Sequence, residues 1–174
     1  MLLTKLRAEE EQKDAETLEQ DLADLEFQVF RMQENMKDIA KRWQVIGIEQ
    51  TKEEKWVIVS IFDDGHVCKI MLNQCEAAYQ GVWDFSIQAQ YLDQHIIHIG
   101  DMKGEENQGY GSICMKYLKE HATDQNVQYI KGDLAKRDWG HLDRLIHFYE
   151  KHDFEVEIDH ANQSGEIRWN ASFQ

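Results

Sequence analysis

The hydrophobic positions of this chain change their period twice. From Leu18 onward they fall at Leu18, Leu22, Leu25, Val29, Met32, Met36, Ile39 and Trp43, in steps alternating four and three. That is the 3.5-residue period of a helix with one apolar seam. Residues 1–42 contain no Gly or Pro and are dense in Glu, Gln, Lys, Leu and Asp, a composition that reads as helix. Before Leu18 the register fades, because Ala15, Glu11 and Ala8 hold the seam positions. The spacing fits two arrangements. One is a coiled-coil homodimer through residues 15–43; the other is a single helix that lays its stripe on its own domain.

After Trp43 the pattern turns to strands. Gln44–Gln50 and Lys55–Phe62, rich in Val, Ile and Trp, predict a hairpin about Thr51-Lys52-Glu53-Glu54. Asp63-Asp64-Gly65 is a turn signal, and His66–Asn73, Gly81–Leu92 and Gln94–Lys103 follow as strands. The period then becomes helical over Gly109–Ala122, with Ile113, Cys114, Tyr117, Leu118 and Ala122 on one side. Val127–Ile130 predicts a short strand, and Leu142, Leu145, Ile146 and Tyr149 mark another helix. Phe154–Asp159 alternates strictly and Glu166–Asn170 closes a last hairpin about Asn162–Gly165. The expected organisation is a helical segment, 1–42, and an α/β domain with a mixed sheet, 43–174.

Composition narrows the partners. The chain has 174 residues and a formal net charge of -14. That balance excludes a sequence-independent grip on nucleic-acid phosphates, which needs clustered Lys and Arg. It keeps the protein dispersed in water and suits cationic partners. No apolar run reaches the roughly 20 residues of a membrane helix. The start, Met1-Leu2-Leu3-Thr4-Lys5-Leu6, is too short for a signal peptide and soon acidic. Cys68, Cys75 and Cys114 are odd in number and form no Cys-x-x-Cys, which predicts reduced thiols and a cytoplasmic protein. His95 and His98 are three apart on a predicted strand and so face opposite sides; His141, His147 and His152 share no helix face. No metal site is expected.

The candidate chemistry sits in Asn107-Gln108-Gly109-Tyr110-Gly111-Ser112, where a strand runs through a Gly-containing loop into a helix. A helix start offers unpaired N–H groups and the positive end of the dipole, which together suit a pyrophosphate. Glycine lets that backbone come close to a ligand. The loop is neither a Walker A sequence nor the full dinucleotide fingerprint. Alone it also fits a plain turn before a helix. About forty residues on comes Phe148-Tyr149-Glu150-Lys151-His152-Asp153-Phe154, a helix end followed by an alternating strand.

Taken together, Gln-Gly-Tyr-Gly-Ser, a helix, a strand and Phe-Tyr-Glu-Lys-His-x-Phe resemble the GNAT acetyltransferase superfamily, over roughly residues 95–158. The resemblance implies a GNAT-like mixed, mostly antiparallel sheet with flanking helices, here preceded by a long coiled-coil-like helix. It implies that Gln94–Lys103 and Val127–Ile130 splay apart to admit acetyl-CoA as co-substrate. The implied acyl-CoA site comprises Asp101, Lys103, Asn107, Gln108, Gly109, Tyr110, Gly111 and Ser112. The family tyrosine, an acid for the leaving thiolate, falls on Tyr149. Counting back fourteen residues from Gly109, the position of the family's base falls on His95, with Asp93 and Asp101 as alternatives. The sequence departs from the family pattern at Glu106 and Gln108 in the loop, at Leu142 in place of an early-helix Asn, and at Asp153 in place of a Gly. The family's usual first strand and two acceptor-binding helices are not evident. Lys136, Arg137 and Arg144 could meet the 3′-phosphate or simply face solvent. The implied activity is an acyl-CoA-dependent N-acetyltransferase acting on an amine-bearing small molecule or a basic peptide. The alternative is a GNAT-shaped interaction module without turnover that dimerises through its first helix.

Overall fold

A computed structural model describes residues 2–173, with side chains described at Gln12 and over 14–172. The first helix, α1, spans Leu2–Ala40. Its seam positions Ala8 and Glu11 lie outside the described side chains. The rest of the seam divides in two. Met32, Met36, Ile39 and Trp43 pack with Ile58 and Cys75 in a small cluster of their own, and Ile39 is fully buried. Asn35, also buried, fixes the same stretch, since its amide donates to the Ala77 carbonyl and its oxygen accepts from the Tyr79 N–H. Leu18, Leu22, Leu25 and Val29, by contrast, remain 68%, 57%, 51% and 40% exposed. The C-terminal half of the seam therefore packs on its own domain, while the half from Leu18 to Val29 stays largely exposed in the monomer.

Among the described residues eight strands follow: β1 (Gln44–Gln50), β2 (Trp56–Asp63), β3 (Val67–Gln74), β4 (Phe85–Tyr91), β5 (Ile96–Gly104), β6 (Tyr129–Leu134), β7 (Glu155–Asp159) and β8 (Ser164–Asn170). They form one sheet in the order β1-β2-β3-β4-β5-β6-β8-β7. All neighbours are antiparallel except β5 and β6. That parallel step needs a crossover, and α2 (Tyr110–Asp124) supplies it. A third helix, α3 (Leu142–Lys151), follows a 3₁₀ stretch, Lys136–His141, and packs against β7.

The period of two decides which face is which. Val57, Val59 and Ile61 of β2 join Ile70 and Leu72 of β3, Ile87 of β4 and Ile97 and Ile99 of β5 in the main core. Cys114, Met115, Leu118 and Ala122 of α2 complete it. Ile58, one step out of phase with Val57 and Val59, points to the other face and to α1. The sheet is mixed and mostly antiparallel with flanking helices, the architecture that the resemblance implies.

Boundaries shift where local chemistry differs from the apolar count. Residues 81–84 form a turn, so β4 starts at Phe85. Leu92–His95 likewise form a turn, and β5 starts at Ile96. β6 runs past Ile130 to Leu134, because Lys131 and Asp133 alternate with the buried Ile130 and Leu134 about Gly132. No described helix is long and apolar enough to cross a membrane.

Candidate functional site

The site begins with a change of register. β5 and β6 pair only over Ile96–Tyr129, Ile97–Ile130, His98–Lys131 and Ile99–Gly132. Beyond Ile99 the two strands part, and β5 from Gly100 to Gly104 has no ladder partner on that side. At the same point β5 carries a bulge: Ala89 pairs with Ile99 and Gln88 with Asp101, so Gly100 is the extra residue. A bulge bends a strand and re-aims its backbone groups. Here it turns β5 away from β6 and opens a wedge.

The wedge leads into a cavity of about 420 Å³. β5 contributes Gly100, Asp101 and Met102; the loop and α2 contribute Glu106, Asn107, Gly109, Tyr110, Gly111 and Ser112; α3 contributes Arg144, Phe148, Tyr149 and Lys151. Two glycines shape it. Gly104 has φ of 142°, and a Cβ there would strike the Asp84 carbonyl and Phe85, so no larger residue fits that close approach. Gly109, the N-cap of α2, has φ of 78° with open space around its Cβ position. No side chain caps the helix. Its first N–H groups therefore face the cavity mouth without a side-chain acceptor, as an anion site requires.

Charges at the rim are arranged in pairs. Glu106 accepts from Arg144 at 2.9 Å, and this pairing holds its carboxyl below the usual range. The loop carboxylate is thereby occupied by a guanidinium rather than left beside the helix start. Ser112 Oγ accepts from Lys151 Nζ at 3.3 Å and shares a 3.0 Å hydrogen bond with His152 Nε2. Burial, then Lys119 and Lys151, push the His152 imidazole down to about 4, so it is neutral near pH 7. Asp101 pairs with Lys103 at 2.8 Å.

Tyr149 sits at the inner wall, 6% exposed, with its ring edge-on to Phe148 and Phe154. Its hydroxyl donates to Met102 Sδ at 3.5 Å, a weak acceptor. Burial first, and Asp138 second, push the phenol up to about 12. The turn after it follows from Asp153, which takes φ of 66° at the position where the resemblance has glycine. Asp tolerates the left-handed region better than most residues, and its carboxylate is held by Lys119 at 2.9 Å.

The fold brings Asp101, Asn107, Gly109, Tyr110, Gly111, Ser112 and Tyr149 together around one cavity. Lys103 and Gln108 belong to the same segments but do not line the cavity. His95 lies elsewhere. It sits exposed on the turn between β4 and β5, where its N–H donates to Asp93, at the opposite end of β5 from the wedge. Counting along a strand ignores the bulge and the turn, and both separate His95 from the site. Asp93 shares that turn, and of the three base candidates Asp101 lines the cavity. Arg144 reaches the rim; Lys136 and Arg137 do not. Met102 and Asp138 carried no signal in the sequence, because their place depends on the splay and on the 3₁₀ stretch.

The curated relative found is the uncharacterized protein YocC of Bacillus subtilis strain 168. It is 59% identical over 158 residues, which cover 91% of this chain and 95% of the relative. The chain belongs to the YocC family. No protein-family model matches it. Among solved structures it is similar to a GNAT-family acetyltransferase from Elizabethkingia anophelis with acetyl-CoA bound, at 9% identity and TM-score 0.49, covering 66% of this chain and 97% of that one. It is also similar to a GNAT-family acetyltransferase from Staphylococcus aureus Mu50, at 12% identity and TM-score 0.48, over 62% of this chain and 70% of that one. A third is the N-acetyltransferase PseH of Campylobacter jejuni, at 15% identity and TM-score 0.46, over 62% and 70%.

Proposed function

We propose that this protein is an acyl-CoA-dependent N-acetyltransferase that moves an acetyl group to a primary amine. The observation that carries the reading is the wedge between β5 and β6, into which an uncapped α2 start opens. In this reading the N–H groups at Tyr110, Gly111 and Ser112 hold the pyrophosphate of acetyl-CoA, with Lys151 and Arg144 at the rim. Unpaired backbone N–H groups of β5 beyond the bulge polarise the thioester carbonyl. The amine nitrogen attacks that carbonyl, the C–N bond forms and the C–S bond breaks. Asp101, the one base candidate from the sequence that lines the cavity, takes the ammonium proton directly or through water. Tyr149 gives its proton to the leaving thiolate; a phenol pushed up to about 12 stays protonated throughout the neutral range.

Acidic groups favour a cationic acceptor. Asp101, Glu105 and Asp138 line the cavity, and the whole chain carries a formal charge of -14. An amine-bearing small molecule or a basic peptide suits that field. Buried, unpaired Cys68, Cys75 and Cys114 suit a reducing, cytoplasmic setting. The test is acetyl-CoA consumption with a panel of polyamines, aminoglycosides and basic peptides. Turnover with one of them, lost in Asp101→Asn, supports the assignment.

The unpartnered half of α1 favours a second reading, an interaction module on the same fold. Leu18, Leu22, Leu25 and Val29 form an exposed heptad seam, which suits a parallel or antiparallel pairing with a second copy. The two readings are compatible in one homodimer. Micromolar CoA binding with no turnover on any acceptor would favour the module alone.

A further inference from the structure

A second cluster of reactive side chains lies at the other end of α2. Asp63 ends β2, Cys68 lies near the start of β3, Tyr91 ends β4 and His121 sits in the last turn of α2. The register pairs Asp63 with Cys68 and Cys68 with Ala89, which sets the three strand ends side by side. His121 then comes down on them from above. Its Nε2 lies 2.5 Å from Asp63 Oδ2, and the Tyr91 hydroxyl donates to that oxygen at 2.6 Å and lies 3.2 Å from the same imidazole nitrogen. The donor atoms of Asp63, Cys68 and His121 all lie within 4.8 Å of one another.

We propose that Asp63, Cys68 and His121 form a binding site for a zinc-class divalent cation, with the Tyr91 phenol or a water completing the shell. The donor set is the first argument. One thiolate sulfur, one imidazole nitrogen and one carboxylate oxygen are the ligand types of tetrahedral zinc, and their mixture disfavours Mg²⁺ and Ca²⁺. Spacing is the second. Metal–ligand distances of about 2.0–2.3 Å imply donor separations of about 3.3–3.8 Å. Cys68 is fully buried and fixed, whereas the Asp63 and His121 side chains are 20% and 18% exposed and can part to admit the ion. Field is the third: the carbonyl end of α2 faces this cluster and favours positive charge.

Binding forms the metal–sulfur bond at the expense of the S–H bond, and the proton leaves to solvent. Without an ion, burial and Asp63 push the Cys68 thiol up to about 12, while Asp63, Tyr91 and His121 are hydrogen-bonded to one another. The site lies roughly 16 Å along α2 from Tyr110, at 1.5 Å per residue, and is independent of the acetyltransferase reading. Its role is to tie three strand ends to the helix whose other end opens on the cavity. The sequence concealed it, since the three ligands lie at 63, 68 and 121 in no recognisable spacing.

The experiment is titration of chelator-treated protein with Co²⁺, read by absorption, followed by Zn²⁺. One equivalent of cobalt is expected to give a thiolate-to-cobalt charge-transfer band and the visible bands of a tetrahedral ion, both abolished by zinc. Cys68→Ser removes the charge-transfer band, while Cys75→Ser and Cys114→Ser keep it. His121→Gln, at a more accessible position, weakens cobalt binding roughly tenfold or more and serves should Cys68→Ser not fold. Absence of a thiolate band at saturating cobalt overturns the proposal. So does a band that survives Cys68→Ser, or cobalt affinity unchanged in His121→Gln.

Discussion

Replacing Gly109 by Asp sets a carboxylate at the mouth of α2. Two effects follow, and the structure separates them. The first is strain: φ is 78°, a region that costs an ordinary L-residue roughly 1–2 kcal/mol. The site adds no clash, because nothing lies within 4 Å of the Cβ position. A loss of about 1 kcal/mol lowers Tm by about 2–4 °C in a chain of this size. The second effect is charge. A unit negative charge about 4 Å from a phosphate costs about 1 kcal/mol in bulk water and about 4 kcal/mol near a protein surface. The cavity mouth lies between those limits, which corresponds to roughly a fivefold to nearly thousandfold loss of CoA affinity. Gly109→Ala carries the strain without the charge. Calorimetric titration with CoA should therefore show near-native affinity for Gly109→Ala and strong weakening for Gly109→Asp, with similar Tm values. Equal affinity in wild type and Gly109→Asp would refute the cradle, whatever activity the protein has.

Tyr149→Phe should lower kcat by about 10²–10⁴-fold with little change in KM, the size expected for loss of a general acid, measured by thiol release from acetyl-CoA. His152 has a folded pKa near 4, below its ordinary value of 6.5, so the unfolded chain binds the extra proton first as pH falls. Stability should be complete above pH 6.5 and decline toward pH 4, and urea midpoints at pH 7 and 5 should differ less in His152→Gln than in wild type. Leu25→Lys should convert a dimer at tens of micromolar into a monomer by sedimentation, because that side chain stays 51% exposed in the monomer. Ile39→Ala, at a fully buried contact between α1 and β2, should cost about 2–5 kcal/mol in denaturant unfolding.

Period and punctuation carried most of the fold. Strict alternation in Phe154–Asp159 and the Val/Ile-rich run of β2 have one physical solution, a strand with one buried face, and both were legible. The seam of α1 was legible in its period but not in its partner. A stripe reads the same whether it meets a sheet or a second copy; here Ile39 is buried on the sheet and Leu25 stays half-exposed. The loop that opens α2 was legible as a turn into a helix, because Gly109 takes the left-handed backbone that favours glycine. The place of His95 was not legible. It follows from the turn at Leu92–His95 and the bulge at Gly100, and neither has an apolar signature. Asp153 was read as a departure from a glycine pattern, yet the backbone there adopts the left-handed conformation with the side chain tethered to Lys119.

The single parallel pairing has a consequence for how the molecule breathes. β1 to β5 form one meander of local hairpins, and β6 to β8 form another unit. Four register pairs between β5 and β6, with α2 across them, sew the two together. Local contacts close early and at low entropic cost, while this seam must close a loop through all of α2. It is therefore the natural line along which the native sheet opens partially, ahead of global unfolding. A ligand lodged in the wedge touches both halves and acts as a rivet across that line. Amide exchange at Ile97, Ile99, Ile130 and Gly132 should slow when acetyl-CoA binds, while exchange in the β2–β3 hairpin stays as it was.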